Sequence, residues 1–302
     1  MNKLLLIDGN GIMHRAYHAL PPLTNVKGDP VHMVYGFFSM LLNVLIDQEP
    51  THLVVCFDRG APTIRQSMYV GYHEHRPKLQ DDFVSQIVLL HELLEKMKVA
   101  IFELDGYEGD DLIGTIAEKA KNEKSKGQNI EVVILTGDRD MLQLVDERVR
   151  VLMPLVGITK TAMFDEKAVE EKYGVTPEQF VDYKALVGDA SDGYPGVGGI
   201  GPKTASKLIR EYGTFENLYE NLGELPEKVG LKLATDAEQA ALALRLARII
   251  VDVPIQFSIK SCACADFDIR SLLAEFKEQG FKTLTARYEE RFGKSEEQLG
   301  LL

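Results

Sequence analysis

The sequence predicts an α/β fold built on a mainly parallel central sheet flanked by helices, and two observations carry that prediction. Short apolar runs rich in leucine and β-branched residues recur between turn residues, and stretches of helical periodicity separate them. Alternation of this kind joins parallel strands through crossover helices that cover both faces of the sheet. A third observation concerns ligands: several of the runs end in an acid, and open α/β sheets bind ligands outside the carboxyl ends of their strands.

Taken in order, "KLLLID" (3–8) is the first expected strand and ends in Asp8. A helix is expected over 33–46, and "THLVVCFD" (51–58) is the second strand, ending in Asp58. A helix over 82–98 leads to the third strand, "VAIFEL" (99–104). The segment "GYEGDDLIGTIAEKA" (106–120) then crowds Glu108, Asp110 and Asp111 into the start of a helix expected over 108–124. "IEVVILTGD" (130–138) is the fourth strand; it ends in Asp138, with Asp140 two residues on, where a helix over 139–145 is expected. "VRVLM" (149–153) is the fifth. After about residue 155 the pattern turns helical, which divides the chain into an α/β part, 1–155, and a helical part, 156–302.

An acidic first turn is also what a solvated helix start looks like, because the helix dipole favours carboxylates there and they can serve as caps. One strand-end aspartate has the same ordinary explanation. Acids after four successive strands converge on one edge of the sheet, where mutual repulsion is unfavourable unless cations neutralise it. Hard oxygen ligands suit magnesium or manganese, and a site of many carboxylates suits two ions about 4 Å apart.

The segment "DASDGYPGVGGIGPKTASKLIREYG" (189–213) supplies two further acids, Asp189 and Asp192, and then a glycine-rich turn through Gly196, Gly198, Gly199 and Gly201. The helix after it carries Lys203, Lys207 and Arg210. Glycines let backbone N–H groups approach an anion closely, and the helix start and lysines add positive charge, so phosphate is the expected ligand.

Composition bounds the rest. The chain has 302 residues, 45% hydrophobic and 26% charged, enough for one large domain or two smaller ones. No apolar run approaches the roughly 20 residues that span a bilayer, and "MNKLLLIDGNG" turns polar too soon for a signal-peptide core, so a cytoplasmic protein without membrane partners is expected. Cys56, Cys262 and Cys264 are too few and too poorly spaced for a disulfide framework or a cysteine zinc site. The net charge of −12 argues against nucleic acid as a partner unless many of the acids bind cations. The first strand leads into "DGNG", which is no dinucleotide fingerprint, and no phosphate-loop lysine motif occurs. An aspartate-nucleophile phosphatase would usually carry an acid where Asn10 stands.

These motifs, "LIDGNG", "HRAYHALPPLTN", "FDRGAPTIRQ", "GYEGDDLIGT", "LTGDRDMLQLVD" and "LVGDASDGYPGVGGIGPKTA", are similar to those of the 5′ to 3′ exonuclease domain of bacterial DNA polymerase I, a member of the flap-endonuclease family with a PIN-like core. The resemblance runs from residue 3 to about 292. It implies a structure-specific nuclease that cuts 5′ flaps and degrades DNA or RNA from a 5′ end in primer removal and repair, with nicked or branched duplex DNA or an RNA–DNA primer as partner. It implies a monomer, either stand-alone or fused to a polymerase in the full-length protein.

By the same resemblance Asp8, Asp58, Glu108 and Asp110 hold one ion, with Asp111 beside them partly through water, while Asp138, Asp140 and Asp192 form the second cluster with Asp189 close by. The ions would be Mg2+, with Mn2+ as substitute; they position the scissile phosphate, supply hydroxide and stabilise the leaving oxygen. Arg15 and Arg76 would contact phosphates near the cut, and Tyr72 would stack on a terminal base. Residues 59–82, with Arg59, Arg65, His73, His75, Arg76 and Lys78, would form a helical arch over the site. Residues 189–212 would form a helix-hairpin-helix element gripping duplex phosphates through Gly196, Gly199, Gly201, Lys203, Thr204 and Lys207, with K+ bound in relatives.

Three departures stand out. The family usually has lysine after the arch tyrosine, but here the chain reads "YHEHR", with His73 in that place. Alanine is commoner where Gly109 stands, and "SDNIPGVPGIG" is commoner than the "SDGYPGVGGIG" of this chain. The missing lysine leaves a second reading, a branched-DNA-binding protein with weak or lost cleavage. Retention of all nine acids favours an active enzyme.

Overall fold

The computed structural model describes residues 2–74, 79–125, 127–157 and 160–292. Among these residues seven strands form the main sheet: β1 (Asn2–Asp8), β2 (His52–Cys56), β3 (Ala100–Phe102), β4 (Lys124–Ser125), β5 (Gln128–Leu135), β6 (Val149–Val156) and β7 (Lys160–Phe164). Their order is β3-β2-β1-β5-β6-β7, parallel except for the last pair, with β4 folded back antiparallel on β5. The two-stranded hairpin of β8 (Gly188–Asp189) and β9 (Tyr194–Pro195) lies outside it.

Among the described residues the helices are α1 (Gly9–Ala19), α2 (His32–Gln48), α3 (Ile64–Met68), α4 (Asp81–Lys96), α5 (Gly109–Asn122), α6 (Glu166–Tyr173), α7 (Phe180–Val187), α8 (Pro202–Tyr212), α9 (Phe215–Glu220), α10 (Glu227–Thr235), α11 (Ala237–Ala247), α12 (Ile269–Glu278) and α13 (Lys282–Phe292). None is long and apolar enough to cross a membrane.

The period of two in a strand explains the layering. In β1, Leu4 and Leu6 join the apolar cluster on one face of the sheet while Leu5 and Ile7 join the cluster on the other; in β5, Val132 and Ile134 divide from Val133 and Leu135 in the same way. Burial on both faces is why these strands read as continuous apolar runs.

The five expected strands are present within a few residues of their expected limits. Three elements differ from expectation. Helix α1 follows β1 directly, where glycines at 9 and 11 argue against helix. The Asp8 side chain caps it by accepting from the Gly11 N–H at 2.7 Å, and a Cβ on Gly11 would lie 2.1 Å from Asp8 Oδ2, so glycine is what this approach requires. Residues Asp140–Leu144 form a 3₁₀ helix in place of the expected α-helix. The strand pattern continues past 155 in β7, whose antiparallel pairing with β6 extends the sheet edge before the helical half begins.

Candidate functional site

The strand order reverses at β1, which has β2 on one side and β5 on the other, and the crevice at this switch point is where such sheets bind ligands. Register places Asp8 beside Cys56 and Ile7 beside Leu135. Asp8, Asp58 and Asp138 therefore leave one edge together, and the first turn of α5 delivers Asp110 to them.

Hydrogen bonds hold these carboxylates in place. Asp8 accepts from the Gly11 N–H and from the Thr136 hydroxyl at 2.7 Å each. Asp58 accepts from the Gly109 N–H at 2.6 Å while its own N–H donates to Asn10 Oδ1. Burial, with Asp138 and Asp58 nearby, pushes the Asp8 carboxyl up to about 6, against the Gly11 and Thr136 donors. Asp110 is raised well above the carboxylate range by burial and then by Asp138, Asp8, Asp58 and Glu108.

The second cluster is tighter. Asp140, Asp189 and Asp192 each offer a carboxylate oxygen, and these three atoms lie within 4.8 Å of one another. Asp138 lies between the clusters: burial raises its pKa, and Asp192 and Asp189 raise it further. Asp140 reaches about 7 through burial and Asp138, against the opposing ammonium of Lys184. Lys184 stands 2.7 Å from Asp140 Oδ1 and also donates to Asp189 Oδ2. Burial raises Asp189 too, but Lys184 and Ser191 outweigh it and hold that carboxyl below its usual value. His73 closes this side: its N–H donates to the Asp192 carbonyl at 3.0 Å, and its Nε2 is 3.1 Å from Asp192 Oδ1.

Two expected ligands are turned aside. Asp111, 1% exposed, is held bidentate by Arg65 at 2.7 and 2.8 Å and also accepts from the N–H groups of Glu108 and Ile250. It sits one position after Asp110, about 100° further around the helix, and is the counter-ion of Arg65. Glu108 accepts from Thr63, Arg65 and Tyr72 at 2.9 to 3.0 Å.

The arch expectation changes accordingly. Arg65 is buried, and Tyr72, expected to stack on a base, is 6% exposed, with its hydroxyl on Glu108 and its ring stacked on His73 at 3.9 Å. Arg15 donates to the Gly157 carbonyl at 3.0 Å. Arg76, with His75 and Lys78, lies outside the described residues.

The glycine-rich turn links α7 and β8–β9 to α8. Lys203 and Lys207 are exposed along the first turns of α8, with Thr204 half-buried between them and Gly201 as the cap. The Gly198 N–H donates to Asp236 at 2.7 Å, and Lys232 Nζ donates to the Gly199 carbonyl at 2.9 Å. One carbonyl of the turn expected to hold K+ thus accepts from a lysine.

Reasoning from sequence missed Arg65 as a buried counter-ion, Lys184 inside the second cluster, and Tyr194 facing it. Lys184 left a signal: it is the lone cation in the buried apolar run "FVDYKALV" of α7. Burial and then Asp140, Asp189, Asp192 and Asp138 raise the Tyr194 hydroxyl.

Family models place the chain more closely. Residues 3–174 match "5′-3′ exonuclease, N-terminal resolvase-like domain" and residues 175–270 match "5′-3′ exonuclease, C-terminal SAM fold". The chain is 41% identical over 98% of its length to DNA polymerase I of Bacillus caldotenax and 38% identical over 99% to that of Bacillus subtilis, spanning about a third of each (33% and 34%). In fold it is similar to the T5 5′-exonuclease with bound zinc, at TM-score 0.67 and 20% identity over 96% of this chain and 99% of that one. It is also similar to the catalytic core of Rad2 in complex with DNA substrate, at TM-score 0.55 and 16% identity over 92% and 88%. With acid clusters at the carboxyl ends of a parallel sheet and family models covering both halves, the chain belongs to the 5′–3′ exonuclease family.

Proposed function

We propose that the chain is a structure-specific 5′ nuclease, a 5′ to 3′ exonuclease and 5′-flap endonuclease that hydrolyses phosphodiester bonds in primer removal and DNA repair. Its proposed substrate is nicked or branched duplex DNA with a 5′ end or flap, including RNA–DNA primers, and it is proposed to act as a monomer in the cytoplasm. The observation that carries this reading is the convergence of Asp8, Asp58, Asp110, Asp138, Asp140, Asp189 and Asp192 around β1, with pKa values of Asp8 and Asp140 raised to about 6 and 7. Buried carboxylates so unfavourable to one another fit divalent cations.

Asp8, Asp58, Asp110 and Asp138 would hold one Mg2+ or Mn2+, and Asp140, Asp189 and Asp192 another, with Glu108 joining once Tyr72 and Arg65 release it. Bound there, such ions supply charge for the scissile phosphate and its leaving oxygen and acidify water at neutral pH. The chain's own groups prepare the site. Thr136 and the Gly11 N–H orient Asp8, the Gly109 N–H orients Asp58, and Lys184 keeps Asp140 and Asp189 together before any cation arrives. His73 borders the cleft beside Asp192, Arg15 is proposed to contact phosphates near the cut, and Lys203, Thr204 and Lys207 are proposed to grip duplex phosphates without reading sequence. Residues 1–155 then supply the first cluster and Asp140, while residues 156–302 supply Asp189 and Asp192 to the second and the duplex-binding helix.

The test is a labelled 5′-flap substrate with magnesium or EDTA. Magnesium-dependent product is expected, and Asp138→Ala should abolish cutting while preserving flap binding at moderate salt. Binding with no product under magnesium would leave only the branched-DNA-binding reading. Loss of both activities in Asp138→Ala would contradict the assignment of that residue.

A further inference from the structure

Tyr194 belongs to β9 and pairs in register with Asp189 of β8, two residues after Asp192. Its side chain is 3% exposed, and its hydroxyl has no hydrogen-bond partner among the described residues. Tyr72, Val181, Ala243, Leu246 and Ala247 surround the ring, so the hydroxyl cannot turn to solvent without opening that apolar cluster. Asp189 is its register partner across the hairpin, and the charges acting on the hydroxyl are acidic: Asp140, Asp189, Asp192 and Asp138.

A buried hydroxyl left without a partner is destabilising, and native structures rarely tolerate one unless water or a ligand completes it. Packing alone gives no reason for the oxygen, since phenylalanine fills the same apolar space without it. Magnesium-like ions keep several waters even when carboxylates hold them. Waters of that shell direct their O–H groups outward, and the phenol oxygen, which accepts as well as donates, can take one.

We propose that the Tyr194 hydroxyl accepts a hydrogen bond from a hydration water of the divalent cation held by Asp140, Asp189 and Asp192, and so is a positioning residue that sets the affinity for that cation. The proposal rests on the two-ion reading above. A hydrogen bond of this kind fixes the orientation of a ligand water, and loss of such outer contacts typically weakens metal affinity about 10- to 100-fold.

The experiment is a titration of the metal-free chain with Mn2+, following free Mn2+ by electron paramagnetic resonance, for the parent, Tyr194→Phe, Tyr194→Ile and Asp192→Asn, together with metal-free melting curves. The parent is expected to bind two ions. Tyr194→Phe and Tyr194→Ile should each weaken one of them by about tenfold or more while leaving the other unchanged. Metal-free Tyr194→Phe should melt at the parent's temperature or above, because an unsatisfied hydroxyl has been removed. Affinities within twofold of the parent in Tyr194→Phe would overturn the proposal, and a lowered metal-free melting temperature beside them would assign the hydroxyl to packing. A parent that binds fewer than two ions, with Asp192→Asn unchanged from it, would overturn the two-ion reading itself.

Discussion

Replacing Arg65 by methionine separates two accounts of the segment that was expected to arch over the site. In the structure the guanidinium is 5% exposed and makes bonds of 2.7 and 2.8 Å to Asp111, 3.0 Å to Glu108, and 2.9 and 2.8 Å to the carbonyls of Leu246 and Arg248. Arg65→Met leaves the 1%-exposed Asp111 carboxylate buried with only two backbone N–H donors. Breaking a buried pair by removing one partner costs about 3–5 kcal/mol, and the two bereft carbonyls push toward the upper end. At roughly 2–4 °C per kcal/mol, the melting temperature should fall by about 10 °C or more. The assay is thermal and urea unfolding in EDTA, with duplex binding by fluorescence anisotropy beside it. Arg65→Met combined with Asp111→Leu should recover most of the loss, because the orphaned charge is gone and an apolar pair fills the space. A loss under about 1 kcal/mol accompanied by weaker, less salt-sensitive DNA binding would refute the reasoning and return Arg65 to a solvated phosphate contact.

Metal-free stability should fall as pH rises from about 4 to 7: Asp8 and Asp140 titrate near 6 and 7 in the fold against 3.8 when unfolded, so the native state holds more protons in that window. The decrease should amount to a few kcal/mol, on the order implied by such shifts, and millimolar magnesium should reverse it by binding the folded state; a melting temperature independent of both pH and magnesium would count against the cleft. His73→Lys should raise single-turnover cleavage at pH 8 by about tenfold or more, the scale of one gained transition-state contact, while His73→Ala changes it little. An unchanged or lower rate for the lysine variant would mean that position 73, though beside Asp192, does not do the family lysine's work. Lys203→Ala with Lys207→Ala should weaken all duplex sequences alike and reduce the log–log salt slope by about two, whereas a sequence-selective defect would contradict backbone gripping.

The sequence by itself determined the sheet and the edge that carries the chemistry. Apolar runs of strand length, four of the five ending in or followed by an acid, are local patterns, and parallel pairing converts them without further choice into carboxylates on one rim, as Asp8, Asp58 and Asp138 show. What it left open was every question of which acid remains available to a cation. Asp110 and Asp111 are indistinguishable in a string of letters, yet one faces the cleft acids and the other a guanidinium contributed from 46 residues earlier. Tyr72 and Arg65 looked like solvated arch residues because burial depends on what packs over them, in this case the Leu246 and Arg248 end of α11. Helix α1 was hidden by its glycines, whose poor propensity is overridden by the Asp8 cap and the close approach that only glycine allows. Lys184 and Tyr194 gained their significance from helix α7 and the β8–β9 hairpin folding against the rim. A charge or hydroxyl acquires its meaning from neighbours distant in sequence, and Coulomb energy and desolvation act on those distances in space.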